Sequence, residues 1–273
     1  SDSTTDILGY CSPLSVFGGD SIDLKLSSNG PKQCSVELLR VQCADVDPDG
    51  PGEAYEQPCF FDKREISVEH QSIKSGSYAV IDPSPTFGDW TELEFSILVY
   101  PTIPEFGPQP VLTWGNLLLT IDDNCRFRFD AANQTALIES QILPRRWYHL
   151  QASVDLTHNQ IGLKATLLRK EANKSPDAVA RIRFPDSLAL SLDGPILFAA
   201  TNCLSADTAH NNTFNGKLEA PRFSIDNEIE PRVYWDFSIG LESQIISELG
   251  PGGYHGSLIN TPTSGATGHN WDG

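Results

Sequence analysis

No methionine occurs in the 273 residues, not even at the first position, and we read the start as processed or trimmed. Basic residues are scarce: 19 Lys+Arg stand against 36 Asp+Glu, leaving a net charge of −17. Such a chain is repelled by nucleic acid and by anionic lipid, so neither is expected as a partner. No apolar run reaches the roughly 18–20 residues of a membrane-spanning helix, and the opening Ser1-Asp2-Ser3-Thr4-Thr5-Asp6 lacks a charged-then-apolar leader. A cytoplasmic location is the expectation. The six cysteines, at 11, 34, 43, 59, 125 and 203, form no CxxC and no His/Cys pair at zinc spacing. We expect reduced thiols rather than three disulfides. Helix is expected to be scarce, because Leu167–Ala172 is too short to nucleate alone.

What the chain does contain is strand pattern, with 39% apolar residues, enough for a core. Ser21–Leu26 and Cys34–Val41 alternate apolar with polar, and Ser28-Asn29-Gly30-Pro31 between them predicts a hairpin. Asp45–Gly52, rich in Asp, Pro and Gly, must be a loop. Ile66–Ser72 and Gly76–Asp82 read as a further strand pair. From Trp90 the pattern tightens: Leu93, Phe95, Ile97 and Val99 alternate with Glu92 and Glu94 before Pro101 stops the run. Short strands follow at 111–114, 117–121, 125–129, 136–140, 147–155, 161–169, 178–184, 195–200, 217–225 and 233–237. Strands at this spacing predict an all-β antiparallel sandwich.

Several residues invite functional readings. Asp45, Asp47, Asp49 and Gly50, with Glu56 at the twelfth position, match part of a calcium-loop spacing, but Pro48 and Pro51 stiffen the loop and no helices flank it. Calcium is therefore kept only as an alternative. Asp122-Asp123-Asn124 between two strands is ordinary hairpin chemistry. His149 alternates with apolar neighbours and has no nucleophile elbow beside it, so it reads as a packed or edge histidine. Trp90, Trp114 and Trp147 are candidates for stacking on sugar rings, although most sandwich aromatics fill the core. Tyr254, His255, His269 and Trp271 lie in a Gly-rich tail and are assigned to docking a further domain, since a Trp among turns wants a partner surface.

The order Thr91–Pro101-Thr102, Gln109–Trp114, Arg126–Phe129, Arg146-Trp147-Tyr148-His149-Leu150 and Phe214-Asn215-Gly216-Lys217-Leu218-Glu219 resembles the concanavalin A-like jelly roll of the LamG type. The flanks resemble something narrower. Ile7–Val16 with Gly19, Leu39-Arg40 and Asp47–Gly52, together with Trp235–Ser238, His255-Gly256, Asn260-Thr261-Pro262 and Gly268–Gly273, are similar to the N,N-dimethylformamidase large-subunit family. That resemblance implies a hydrolase of small amides, with a mononuclear iron held by tyrosines and a glutamate in a later domain and with a small subunit as partner. None of the implied iron ligands matches a position here. We therefore expect residues 1–75 to be a small β unit, 76–232 a LamG-like sandwich, and 233–273 a closing strand and linker. The whole is expected to be the non-catalytic scaffold of a longer amide hydrolase, docked on its C-terminal catalytic domain and on other subunits. A carbohydrate-binding module, assisted by calcium, is the alternative.

Overall fold

The computed structural model describes residues 6–71, 76–169, 177–185, 187–201 and 213–271. Every regular element among them is a strand, in keeping with the expected scarcity of helix. The chain divides into two compact units, Ser1–Ile73 and Lys74–Gly273.

In the first unit β1 (Ile7–Ser12) pairs antiparallel with β2 (Asp23–Ser28). A ribbon follows in which β3 (Lys32–Val36) pairs with β6 (Arg64–Val68). Nested between them, β4 (Arg40–Ala44) pairs with β5 (Glu53–Glu56). The hairpin expected around Ser28–Pro31 does not form, because the strands on either side take other partners. Ser28 is buried, its hydroxyl donates to the Val68 carbonyl at 2.9 Å, and its amide donates to Glu69 O at 3.2 Å. These bonds turn the chain at Ser28 towards the end of β6 instead of folding β3 back along β2. The single strand expected over Cys34–Val41 is likewise split, at residues 37–39, into β3 and β4. The loop expected at Asp45–Gly52 is present. Asp47 and Asp49 donate their amides to the carboxylates of Asp45 and Asp47, at 2.9 and 3.0 Å, in successive Asx turns. Val68 is the one large apolar side chain fully buried among the described residues of this unit.

The second unit is built from β7 (Tyr78–Ile81), β8 (Glu92–Pro101), β9 (Gln109–Trp114), β10 (Leu117–Ile121), β11 (Phe127–Ala131), β12 (Gln134–Leu137), β13 (Tyr148–Asp155), β14 (Gln160–Leu167), β15 (Asp177–Arg183), β16 (Ile196–Phe198), β17 (Gly216–Ile225), β18 (Val233–Tyr234), β19 (Ile245–Ile246) and β20 (Gly256–Ile259). They form an eight-stranded sheet, β12-β11-β10-β9-β16-β7-β20-β19, and a six-stranded sheet, β15-β14-β13-β8-β17-β18. The chain crosses repeatedly from one sheet to the other, as a jelly roll requires. The strand pair expected from Ile66–Ser72 and Gly76–Asp82 is corrected: β6 belongs to the first unit, and β7 is inserted between β16 and β20. Tyr78-Ala79-Val80-Ile81 has no polar face and suits a central strand covered on both sides.

The alternation read from the sequence becomes the core. Leu93, Phe95, Ile97 and Val99 of β8, Leu150, Ala152 and Val154 of β13, and Ile161 and Leu163 of β14 point inward. They meet Leu112, Trp114, Leu119, Phe127, Ile196 and Phe198 of the opposite sheet. An aromatic cluster joins the two layers. Phe223 lies 4.9 Å from Phe95, 5.2 Å from Trp114 and 6.2 Å from Trp235, ring centre to ring centre, and Phe95 stacks on Phe198 at 6.2 Å. At the expected hairpin, Asp122 accepts the amides of Asn124 and Arg126 at 2.9 Å and Cys125 takes a positive φ of 58°. Cys125 is therefore in the turn and not in a strand. Cys11, Cys34, Cys43, Cys59 and Cys125 are free thiols, and Cys203 lies outside the described residues.

Residues 233–259 are more than a linker, since they supply β18, β19 and β20. Trp235 is buried and donates its indole N–H to Tyr254 O at 2.7 Å. The buried Glu248 carboxylate accepts the Gly253 amide at 2.8 Å. No helix among the described residues is long and apolar enough to cross a membrane.

Candidate functional site

The outer face of the six-stranded sheet carries the side chains that alternate away from the core. Cross-strand pairing puts Lys164, Gln151, Ser96 and Arg222 in one row and Thr166, His149, Leu98 and Glu219 in the next. Glu219 and Arg222 are three residues apart, and in a regular strand they would face opposite sides. A bulge between them, with Ala220 at φ 51°, brings both outward. Arg222 then donates to Ser96 Oγ at 2.8 Å. Burial, reinforced by the Arg222 and Lys164 cations, holds the His149 imidazole below its ordinary pKa. Of the packed or edge positions expected from the sequence, it takes a half-buried one on the outer face of an interior strand.

Glu219 faces the C-terminal tail. Its carboxylate accepts the His269 amide at 3.0 Å and pairs with His269 Nδ1 at 2.7 Å. Lys217, two residues earlier, donates to Thr267 O at 3.0 Å and to Thr267 Oγ1 at 2.6 Å, while its ammonium sits 5.2 Å from the Tyr100 ring centre. Tyr100 packs on Trp147 at 5.3 Å, and Trp147 meets the His269 ring at 6.3 Å. Arg169 donates to Trp271 O at 3.1 Å. The segment 267–271 is thus a strap bound to residues of β17 and to the positions flanking β13 and β14. Its last described side chain, Trp271, is 62% exposed.

The residues assigned to docking therefore divide. Tyr254 packs against the core, His255 Nδ1 accepts the Glu248 amide at 3.2 Å, and His269 is held by Glu219. Trp271 alone of the four presents a large open apolar surface. Sequence reasoning missed Lys217, Glu219 and Arg169 as the holders of the tail, although the first two stand inside the Phe214–Glu219 motif. Of the aromatic candidates, Trp114 is corrected: it is buried in the core, edge-on to Phe87 at 5.6 Å, and takes no part in any surface. Trp90 packs half-buried against the core, and Trp147 lies beside His269. The carboxylates of Asp45 and Asp47 are engaged by the Asx turns and Asp49 lies beyond them. Among the described residues, no group of three or more His, Cys, Asp or Glu is arranged to hold a metal ion. The described residues thus offer no such cage to calcium or to the implied iron.

The chain is 24% identical to the beta subunit of N,N-dimethylformamidase from Alcaligenes sp., over 98% of its own length, and 24% identical to that from Paracoccus aminophilus, over 99%. The chain is homologous to N,N-dimethylformamidase beta subunits. It spans about two fifths of their length, 41% in each case. No protein-family profile matches it. Solved structures similar in shape include a Bacteroides ovatus protein described as a candidate carbohydrate-binding protein, at TM-score 0.49 and 11% identity, covering 90% of this chain and 75% of that one. The LG1-3 region of the laminin alpha2 chain follows at TM-score 0.41 and 14% identity, covering 57% of this chain and 32% of that one.

Proposed function

We propose that residues 1–273 form the non-catalytic, assembly-bearing portion of an amide hydrolase of the N,N-dimethylformamidase kind. On this reading the iron-dependent cleavage of a small amide takes place in a domain outside these residues, and the two β units serve as scaffold for that domain and for neighbouring subunits. The supporting observation is one of extent. Nearly the whole chain aligns with dimethylformamidase beta subunits, yet it accounts for only 41% of their length. The fold fits the role, since a jelly roll with a filled core leaves its surfaces for contact.

The test compares dimethylformamide hydrolysis and bound iron for residues 1–273 alone and for the complete subunit with its partners. Turnover and stoichiometric iron are expected only in the complete assembly. Hydrolysis by residues 1–273 alone, or a complete assembly that binds no iron, overturns the reading.

A further inference from the structure

The ribbon of β3 to β6 is poorly explained as a self-sufficient structure. All four residues of β5 and four of the five in β4 are exposed, and two paired strands with no covered face are marginal in water. Its large apolar side chains point to solvent: Val41 and Tyr55 sit directly opposite each other, with Leu38 and Leu39 before them, Val46 at the tip and Phe60 beyond. Val46 is 81% and Phe60 75% exposed. Between Val41 and Phe61 stand five carboxylates, of Asp45, Asp47, Asp49, Glu53 and Glu56, and no Lys or Arg.

We propose that this ribbon is a docking arm whose seat is an apolar protein surface rimmed by Lys and Arg, on the part of the assembly outside residues 1–273. The inference rests on the proposed function and adds the element that makes the contact. Net charge favours an occupant outside residues 1–273. Residues 1–73 hold 13 Asp+Glu against 5 Lys+Arg, and residues 74–273 hold 23 against 14. Both units are therefore net negative, and a second copy repeats the whole charge of −17. An acidic arm with an apolar grip is complementary to a basic rim around an apolar centre.

The experiment places a benzophenone-bearing amino acid at Tyr55, and separately at Val41, in the complete subunit, and maps the photo-cross-links by peptide mass spectrometry. Cross-links are expected in sequence outside residues 1–273, with a yield that falls about threefold or more between 50 and 500 mM NaCl as the charges are screened. The variant Asp49→Lys, at a tip carboxylate that holds neither Asx turn, is expected to lower the yield at low salt with an unchanged melting temperature. Cross-links into residues 74–273, into residues 1–273 of a second copy, or none at all overturn the arm. None of these outcomes depends on where amide hydrolysis occurs, so the arm and the proposed function fail separately.

Discussion

Glu219→Ala is expected to release the tail while leaving the sandwich folded. The carboxylate receives two bonds from one residue, the His269 amide at 3.0 Å and the ring at 2.7 Å, and both side chains are only 28% exposed. A bond to a charged acceptor contributes about 1.5–3 kcal/mol net, and two bonds sharing one carboxylate do not add fully, so their joint loss costs about 2–3 kcal/mol. At about 1.4 kcal/mol per decade this is a roughly 30- to 150-fold rise in the opening of the strap. Hydrogen exchange followed by mass spectrometry reads it directly, with the amides of 267–271 as reporter and those of β13 as the internal control. Glu219→Gln keeps a neutral bond of about half the strength and should fall between, at about 5- to 12-fold. Tail exchange within threefold of the parent in Glu219→Ala would refute the assignment, and so would an equal acceleration in β13, because the carboxylate would then be supporting the whole sandwich.

Phe223→Ala empties the junction of four aromatic rings at a fully buried site and should cost about 3–5 kcal/mol in denaturant unfolding; a loss below about 2 kcal/mol would show that the rings do not pack as one cluster. Gly115 and Gly107 both have positive φ, 54° and 95°, but a methyl group on Gly115 collides with the Ser191 carbonyl whereas one on Gly107 meets open space. Gly107→Ala should cost only the backbone strain, about 1–2 kcal/mol, and Gly115→Ala clearly more; equal costs would deny the close approach. The folded state favours neutral His149, so its contribution is complete above the unfolded imidazole value of about 6.5 and is lost as pH falls below it. Unfolding free energies of the parent and His149→Gln between pH 5 and 8 should diverge in slope on the acid side alone; parallel curves would mean that the imidazole is solvated.

The sandwich was legible because its strands carry their burial in their alternation. Leu93, Phe95, Ile97 and Val99 need no neighbour to declare which face is inward. Gly9 and Cys11 in β1 carry weak patterns, and β19 and β20 are two and four residues long. Their pairing is decided by distant chain, such as β7 for β20, and this is invisible in a local window. The strap was half legible. Trp271 drew attention as a large apolar side chain among turns, but its tail is held by Lys217 and Glu219, about 50 positions away. A surface carboxylate gives no local sign of its partner. Trp114 shows the opposite failure, because a tryptophan beside a Gly-Asn turn looks available for stacking until the second sheet is laid over it.

The bulge in β17 ties these observations together. Opposite Ile97, two residues of β17, Ala220 and Pro221, occupy the place of one. The cost is visible in Ala220, a non-glycine residue at φ 51°, a conformation that disfavours an L side chain by about 1–2 kcal/mol. The return is that Glu219 reaches the tail and Arg222 reaches Ser96 on the same face. Ala220→Gly relieves the strain but gives the unfolded chain more freedom, about 0.5–1 kcal/mol against it. It should therefore stabilise the unit by at most about 1.5 kcal/mol and leave the strap protected. Deleting Ala220 leaves Glu219, Pro221 and Arg222 opposite Leu98, Ile97 and Ser96, a regular alternation in which Glu219 and Arg222, now two positions apart, still face outward. The extra residue is thus what lets a three-residue separation serve one face, and removing one residue serves it equally. The deletion should therefore leave residues 267–271 protected, as Ala220→Gly does. Tail exchange at the Glu219→Ala rate in the deletion variant would mean that the bulge itself, and not the facing of Glu219, holds the strap.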